Sequence, residues 1–163
     1  MYMPFEKMSS QSRVWIYQAD REFLSEEKAI IQDRLKAFCE QWGTHGSNLS
    51  TSFDIKFDQI IVLAVDESKL GASGCSIDSS VKVLRELEAA LGVDLVNQGK
   101  VSYLSDSDKV SVNSISGIKS AIHDGLLKPE TLVLNPIVNQ KQDLDKKWII
   151  PAKESWLNKY FDN

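Results

Sequence analysis

Arg13 to Gln18 reads RVWIYQ, and its alternation of apolar or aromatic β-formers with other positions predicts a strand. Downstream the period lengthens. Ser25 is placed to cap a helix, Glu26 and Glu27 suit its positive end, and Ile31, Leu35, Phe38 and Trp42 recur at steps of four, three and four. That spacing predicts a one-sided helix stopped at Gly43, followed by a polar loop, THGSNLSTS. Two strands are expected next, Phe53 to Lys56 and Gln59 to Val65, broken near Phe57-Asp58. The second contains IIVLAV, apolar on both faces, and is therefore expected at the centre of a sheet. A small-residue loop, GASGCS, leads into a second helix with Val81, Leu84 and Leu87 on its buried side and Gly92 as its left-handed stop. Val101 to Leu104 is read as a short strand.

The resulting order, βαββαβ over residues 1–104, predicts an α+β domain of the ferredoxin-like sandwich type, with two helices on one face of an antiparallel sheet. Residues 105–163 read as a small α/β module. SDSDK marks a turn, Val110 to Val112 a strand, and Ser114 caps a helix holding Ile115, Ile118 and Ile122 that ends at Gly125. Thr131 to Leu134 resumes β character, and after a polar loop come Trp148-Ile149-Ile150 and a short helix with Trp156, Leu157, Tyr160 and Phe161.

Composition narrows the function classes. The 163 residues are 42% hydrophobic and 26% charged, close to globular averages, and carry a net charge of −4. Such a chain lacks the basic footprint of a nucleic-acid binder, so no nucleic-acid partner is expected. The longest apolar run, Ile60 to Val65, is far short of the roughly 18 residues that cross a bilayer, and the first residues carry no export signal. No membrane partner is expected, and the expected location is the cytoplasm. Cys39 and Cys75 form no CxxC pair, and His45 and His123 stand apart from them, so neither a metal nor a cofactor is expected.

The stretch from Gly71 to Ser80 carries the most suggestive chemistry. A helix N-terminus offers unpaired N–H donors and a positive dipole end, so Gly74, Ser76 and Asp78 are candidates for anion binding. The same dipole eases ionisation of a thiol. Cys75 is thus the candidate nucleophile, His45 a candidate base, and Asp66, at the end of the buried strand, a candidate acid. The competing reading is structural: Ser76 or Asp78 caps the helix while Gly71 and Gly74 make a turn. IIVLAVDE matches the magnesium-binding strand of nucleotide triphosphatases, but the chain contains no GxxxxGK[ST], and its Gly99-Lys100 pair is followed by Val101. The phosphate cradle of such enzymes is therefore missing. Among the aromatic residues, Trp148 and Trp156 are candidates for a partly exposed binding surface.

Two resemblances add to this. RVWIYQADREF, FCEQW, THG, IIVLAVDES, GASGCSIDSSV and WIIPAKESWLNKYF together resemble a family of short Bacteroidetes proteins commonly labelled "ABC transporter ATPase", over nearly the whole chain. The resemblance implies a cytoplasmic bacterial protein and assigns no catalytic residue. Residues 101–156, with VSVNSISGIKSAIHDGLLKPETLVL, Trp148, Ala152 and Trp156, resemble GYF-like domains, which implies binding of peptides, often proline-rich. Two functions stay open at this point. One is a protein-binding or adaptor protein that uses exposed aromatics and sheet edges, with a homodimer open to it. The other is a small-molecule enzyme or anion binder centred on Cys75.

Overall fold

The computed structural model describes residues 1–44, 47–69, 71–105 and 109–161, and of Thr44, Ser47, Asn48 and Cys75 the backbone alone. Its elements run β1 (Arg13–Gln18), α1 (Ser25–Gln41), β2 (Gly43–Thr44), β3 (Ser47–Asn48), β4 (Ser50–Lys56), β5 (Ile60–Asp66) and α2 (Gly74–Leu91). The second half follows with β6 (Lys100–Leu104), β7 (Val110–Ser114), α3 (Ile118–His123), β8 (Leu132–Leu134), α4 (Asp143–Lys146) and β9 (Ile149–Pro151). Short 3₁₀ turns occupy Phe5–Lys7, Ile115–Gly117, Ala152–Glu154 and Trp156–Tyr160. The fold is mixed α and β with two principal antiparallel sheets, ordered β1-β5-β4 and β7-β6-β8-β9.

The run IIVLAV explains how the layers stack. Every residue from Ile60 to Val65 is fully buried, and successive side chains point to opposite faces. Ile61, Leu63 and Val65 share a core with Ile31 and Leu35 of α1 and Leu84 and Leu87 of α2. Ile60, Val62 and Ala64 share another with Leu134, Val138 and Trp148 from the C-terminal part of the chain. A strand apolar on both sides is thus covered on both sides, by helices and by the second sheet. Beyond that sheet, Val101 and Tyr103 pack with Ile118, Leu127, Val133 and Leu157 in a third core.

Three expectations are modified. In a ferredoxin-like sandwich the last strand lies beside the first; here β6 bonds with β7 and β8, and the place beside β1 goes to Asn139–Lys141. The reason is local. β7 is the next strand in the chain and pairs with β6 over five residues, and Val101 and Tyr103 bury against C-terminal elements. The polar segment THGSNLSTS is not all loop: β2 pairs with β3, and β4 begins at Ser50. Thr51 is fully buried there because its hydroxyl donates to Cys39 O at 2.7 Å, which composition alone does not reveal. The C-terminal helix around Trp156 is a 3₁₀ turn.

The helix stops follow their glycines, Gly92 at φ 67° after α2 and Gly125 at φ 76° after α3. The break near Phe57-Asp58 is a tight hairpin turn in which both residues have φ 55°. Phe57, costly in that conformation, has its ring 5.8 Å from that of Trp148.

Candidate functional site

Two places merit comparison: the entrance to α2, singled out by its small residues, and the outer edge of β1. At the α2 entrance, Ser73 is the N-cap, and its hydroxyl accepts the Ser76 N–H at 3.1 Å. The Ser76 hydroxyl lies 2.9 Å from that of Ser73 and also donates to Gly43 O, while Trp42 Nε1 donates to Ser76 O at 2.8 Å. Ser76 is accordingly buried and serves to fasten α2 to the end of α1.

The loop before the helix is closed in the same way. Glu67 Oε2 accepts the Ala72 N–H at 2.7 Å and lies 3.8 Å from the Arg13 guanidinium. Asp66 accepts the Ser68 N–H at 2.9 Å, and the Ser68 backbone and side chain hold its carboxyl below the ordinary value. Gly74 opens the helix at the surface, and Asp78 is exposed, lining a shallow depression with Lys82 and Arg85. His45 and the Cys75 side chain lie outside the described residues, so of the trio Cys75, His45 and Asp66 only the carboxylate has a described position. The amides of Ala72, Ser76 and Ile77 are each bonded within the chain. A carboxylate already stands over this loop, which is electrostatically unfavourable to a second anion.

The outer edge of β1 is different. Antiparallel pairing with β5 uses the backbone of alternate residues, and the bonds of Ala19 to Gln59 and of Val14 to Asn139 show which. Arg13, Trp15 and Tyr17 turn their N–H and C=O groups to β5; Val14, Ile16 and Gln18 turn theirs outward. Val14 N–H donates to Asn139 O at 3.0 Å and Lys141 N–H to Ser12 O at 2.8 Å, so the chain itself pairs with the first part of this edge. It then leaves. In the same register Ile137 would face Ile16 and Asn135 would face Gln18, but the Ile137 N–H is bonded to Asn135 Oδ1 at 3.3 Å and the Asn135 N–H to Trp148 O at 2.6 Å. Ile16 N–H and C=O and Gln18 N–H have no partner among the described residues.

Ile16 and Gln18 line a groove of about 290 Å³ together with Gln98, Leu134, Pro136, Asn139 and Trp148. Gln18, Gln98, Leu134 and Pro136 also border an adjoining apolar cavity of about 320 Å³. Its rim carries Ile137, 67% exposed, Ile115, 44% exposed, and Trp156, 36% exposed. Tyr160 meets the Trp156 ring edge-on at 6.1 Å, and the Lys159 ammonium lies over both rings at 5.7 and 5.3 Å. Lys100 closes one side of the cavity. Its side chain is 5% exposed, Nζ donates to Asp94 O at 3.0 Å, and burial lowers its pKa against the opposing pull of Asp94.

Of the two tryptophans picked from the sequence, Trp156 lines this cavity and Trp148 is almost fully buried in the wall of the groove. Gln18, Gln98 and Ile137 were not foreseen. A signal for Ile137 was present, since Ile137-Val138 is an apolar pair inside an otherwise polar loop and directly follows a proline.

Among the described residues, no group of three or more His, Cys, Asp or Glu is arranged to hold a metal ion. No helix among them is long and apolar enough to cross a membrane. Comparison of the chain with protein-family models, with curated proteins and with solved structures finds no match.

Proposed function

We propose that this chain is a binding or adaptor protein that recognises a segment of a partner protein. The observation that carries the reading is the convergence of Ile115, Ile137 and Trp156, all exposed, on the rim of one apolar cavity. Single exposed apolar side chains are ordinary, but several gathered around a concavity leave apolar area in water that a ligand can cover, at about 25 cal/mol per Å². Tryptophan adds a large, stiff contact surface of the kind that dominates protein–protein binding energy.

The resemblance of residues 101–156 to GYF-like peptide-binding domains supports the same reading, as does the absence of a complete catalytic set in the sequence. Helices α1 and α2 pack on one face of β1-β5-β4, and we read that layer as a ferredoxin-like scaffold on which the second sheet presents its cavity. Enzymatic or anion-binding use of the α2 entrance is less well supported, because the Ala72, Ser76 and Ile77 amides are bonded within the chain and Glu67 already supplies negative charge there.

The test is selection of short random peptides, displayed on phage, against the immobilised full chain. Enriched peptides should share a bulky apolar residue and bind the Trp156→Ala variant at least about tenfold more weakly. Failure to enrich any sequence, or enrichment of peptides that bind Trp156→Ala and Ile137→Ser as tightly as the parent, overturns the proposal.

A further inference from the structure

We infer that the outer edge of β1 is the recognition element for an extended partner segment, which adds to the β1-β5-β4 sheet as a further strand at Ile16 and Gln18. The inference rests on the protein-binding reading and specifies how the partner is held. Backbone groups turned away from β5 need a partner or water, and the groups in question are Ile16 N–H and C=O and Gln18 N–H. What satisfies a donor and acceptor spaced along a strand edge is the backbone of another extended chain.

The chain shows how such a partner is seated. Asn139–Lys141 already bonds to Ser12 and Val14 as an antiparallel neighbour, with Arg13 opposite Gln140. The same line, continued, passes Ile16 and Gln18, but the protein's own backbone leaves it after Asn139, the Ile137 N–H bonding to Asn135 Oδ1 instead. A guest strand therefore completes a row that the fold has begun. Because the groove shares Gln18, Gln98, Leu134 and Pro136 with the apolar cavity, a segment paired at Ile16 passes directly to Ile137 and Trp156. The partner is thus an extended segment with a bulky apolar side chain beside its paired residues. Main-chain bonds fix its register and the cavity selects its side chain.

A second copy of this chain fits the edge less well. Ile16 and Gln18 border a groove that is also lined by Gln98, Leu134, Asn135, Pro136, Val138 and Asn139. For two copies to pair edge to edge, these residues of each would have to clear those of the other.

The experiment is amide hydrogen exchange on the full chain with and without a peptide enriched on it. At saturation, exchange at Ile16 and Gln18 N–H should slow by about tenfold or more, whereas Trp15 and Tyr17, already bonded to β5, should change less. N-methylation of the peptide, one amide at a time, should weaken binding about three- to tenfold at alternate residues and not at those between. Gln18→Pro removes one donor at the end of an edge strand, where proline is tolerated, and should weaken binding to a similar degree. Should that variant not fold, the N-methylated peptides still decide.

Peptides that need Trp156 yet leave exchange at Ile16 and Gln18 unchanged would overturn the strand pairing and spare the protein-binding reading. Failure to enrich any peptide sinks both. Slowing of the same two amides with rising protein concentration, in the absence of peptide, would identify a second copy as the occupant and overturn the inference.

Discussion

The entrances to α1 and α2 and the outer edge of β1 present the same kind of group, backbone N–H and C=O that regular secondary structure leaves unpaired, and the chain treats them in opposite ways. At α2, Ser73 and Glu67 supply side-chain acceptors from within a few residues, and the Ser76 hydroxyl donates to Gly43 O. At α1, Glu27 takes the Leu24 N–H at 2.8 Å and grips the Arg21 guanidinium through two bonds of 2.7 and 2.8 Å, and Arg21 continues to Leu91 O at 3.0 Å. At β1, no side chain among the described residues bonds to the outward backbone groups of Ile16 or to the Gln18 N–H, although Gln18 and Gln98 border the same groove. Regions of the first kind contribute to folding; a region left open at a structured groove is available to a ligand. The difference teaches that polar, small-residue sequence marks where a chain satisfies itself. An unsatisfied edge has no sequence signature of its own.

The comparison is tested most severely at the wall of the groove. Trp148 is nearly fully buried between Phe57 and the second face of β5, so Trp148→Ala should cost about 3–5 kcal/mol in urea unfolding. The variant should also lose peptide binding, because the wall behind Pro136 collapses. A cost below about 1 kcal/mol would show that the groove is not built on this residue.

The next effect concerns the closed entrance to α1. The paired Arg21 guanidinium, with the Leu24 N–H, holds the Glu27 carboxyl at about 2. Because the folded value lies below the unfolded one of about 4.3, the stabilisation is present above that range and is lost as pH falls toward about 2. Urea midpoints of the parent chain should decline over this window, and those of Glu27→Gln, lower at neutral pH, should decline less. Parallel pH profiles for the two proteins would place the stabilisation elsewhere. A smaller loss is expected at the second entrance. Ser73→Ala removes the acceptor for the Ser76 N–H and should cost about 1 kcal/mol by thermal unfolding. No measurable loss would mean that water replaces the cap and that the entrance is open after all.

How far these regions were legible in the sequence follows from the range of the forces involved. β1, α1, β5 and α2 were readable because their apolar spacing reflects the face each one buries, and Gly92 and Gly125 because few other residues take a positive φ. The partner of β6 was not. Val101 and Tyr103 alternate in the same way whichever strand lies beside them, so nothing within β6 itself distinguishes β7 and β8 from β1 as neighbours. Among the candidate residues, Ser76, picked as a hydroxyl at a helix entrance, fastens α2 to Gly43, and Trp156, picked as an aromatic in a small terminal element, lines the apolar cavity. The free edge was invisible because Asn139 and Lys141 pair through their backbones, and main-chain bonding leaves side-chain identity unconstrained.

The smallest expected effect is the most discriminating. Ile137 is 67% exposed, its side chain is absent from all three packed cores, and its N–H bonds to Asn135 Oδ1 at 3.3 Å irrespective of the side chain. Ile137→Ser should therefore shift folding stability by no more than about 0.5 kcal/mol. If the open region is maintained for a partner, the same substitution should weaken binding of an enriched peptide several-fold, as measured by titration calorimetry. A residue that costs nothing to fold and much to bind is the reverse of Ser73, for which folding bears the loss and binding should be unchanged. Equal losses of stability and binding at Ile137 would instead make the cavity rim part of the core, and the contrast between closed and open regions would fail at the residue best placed to show it.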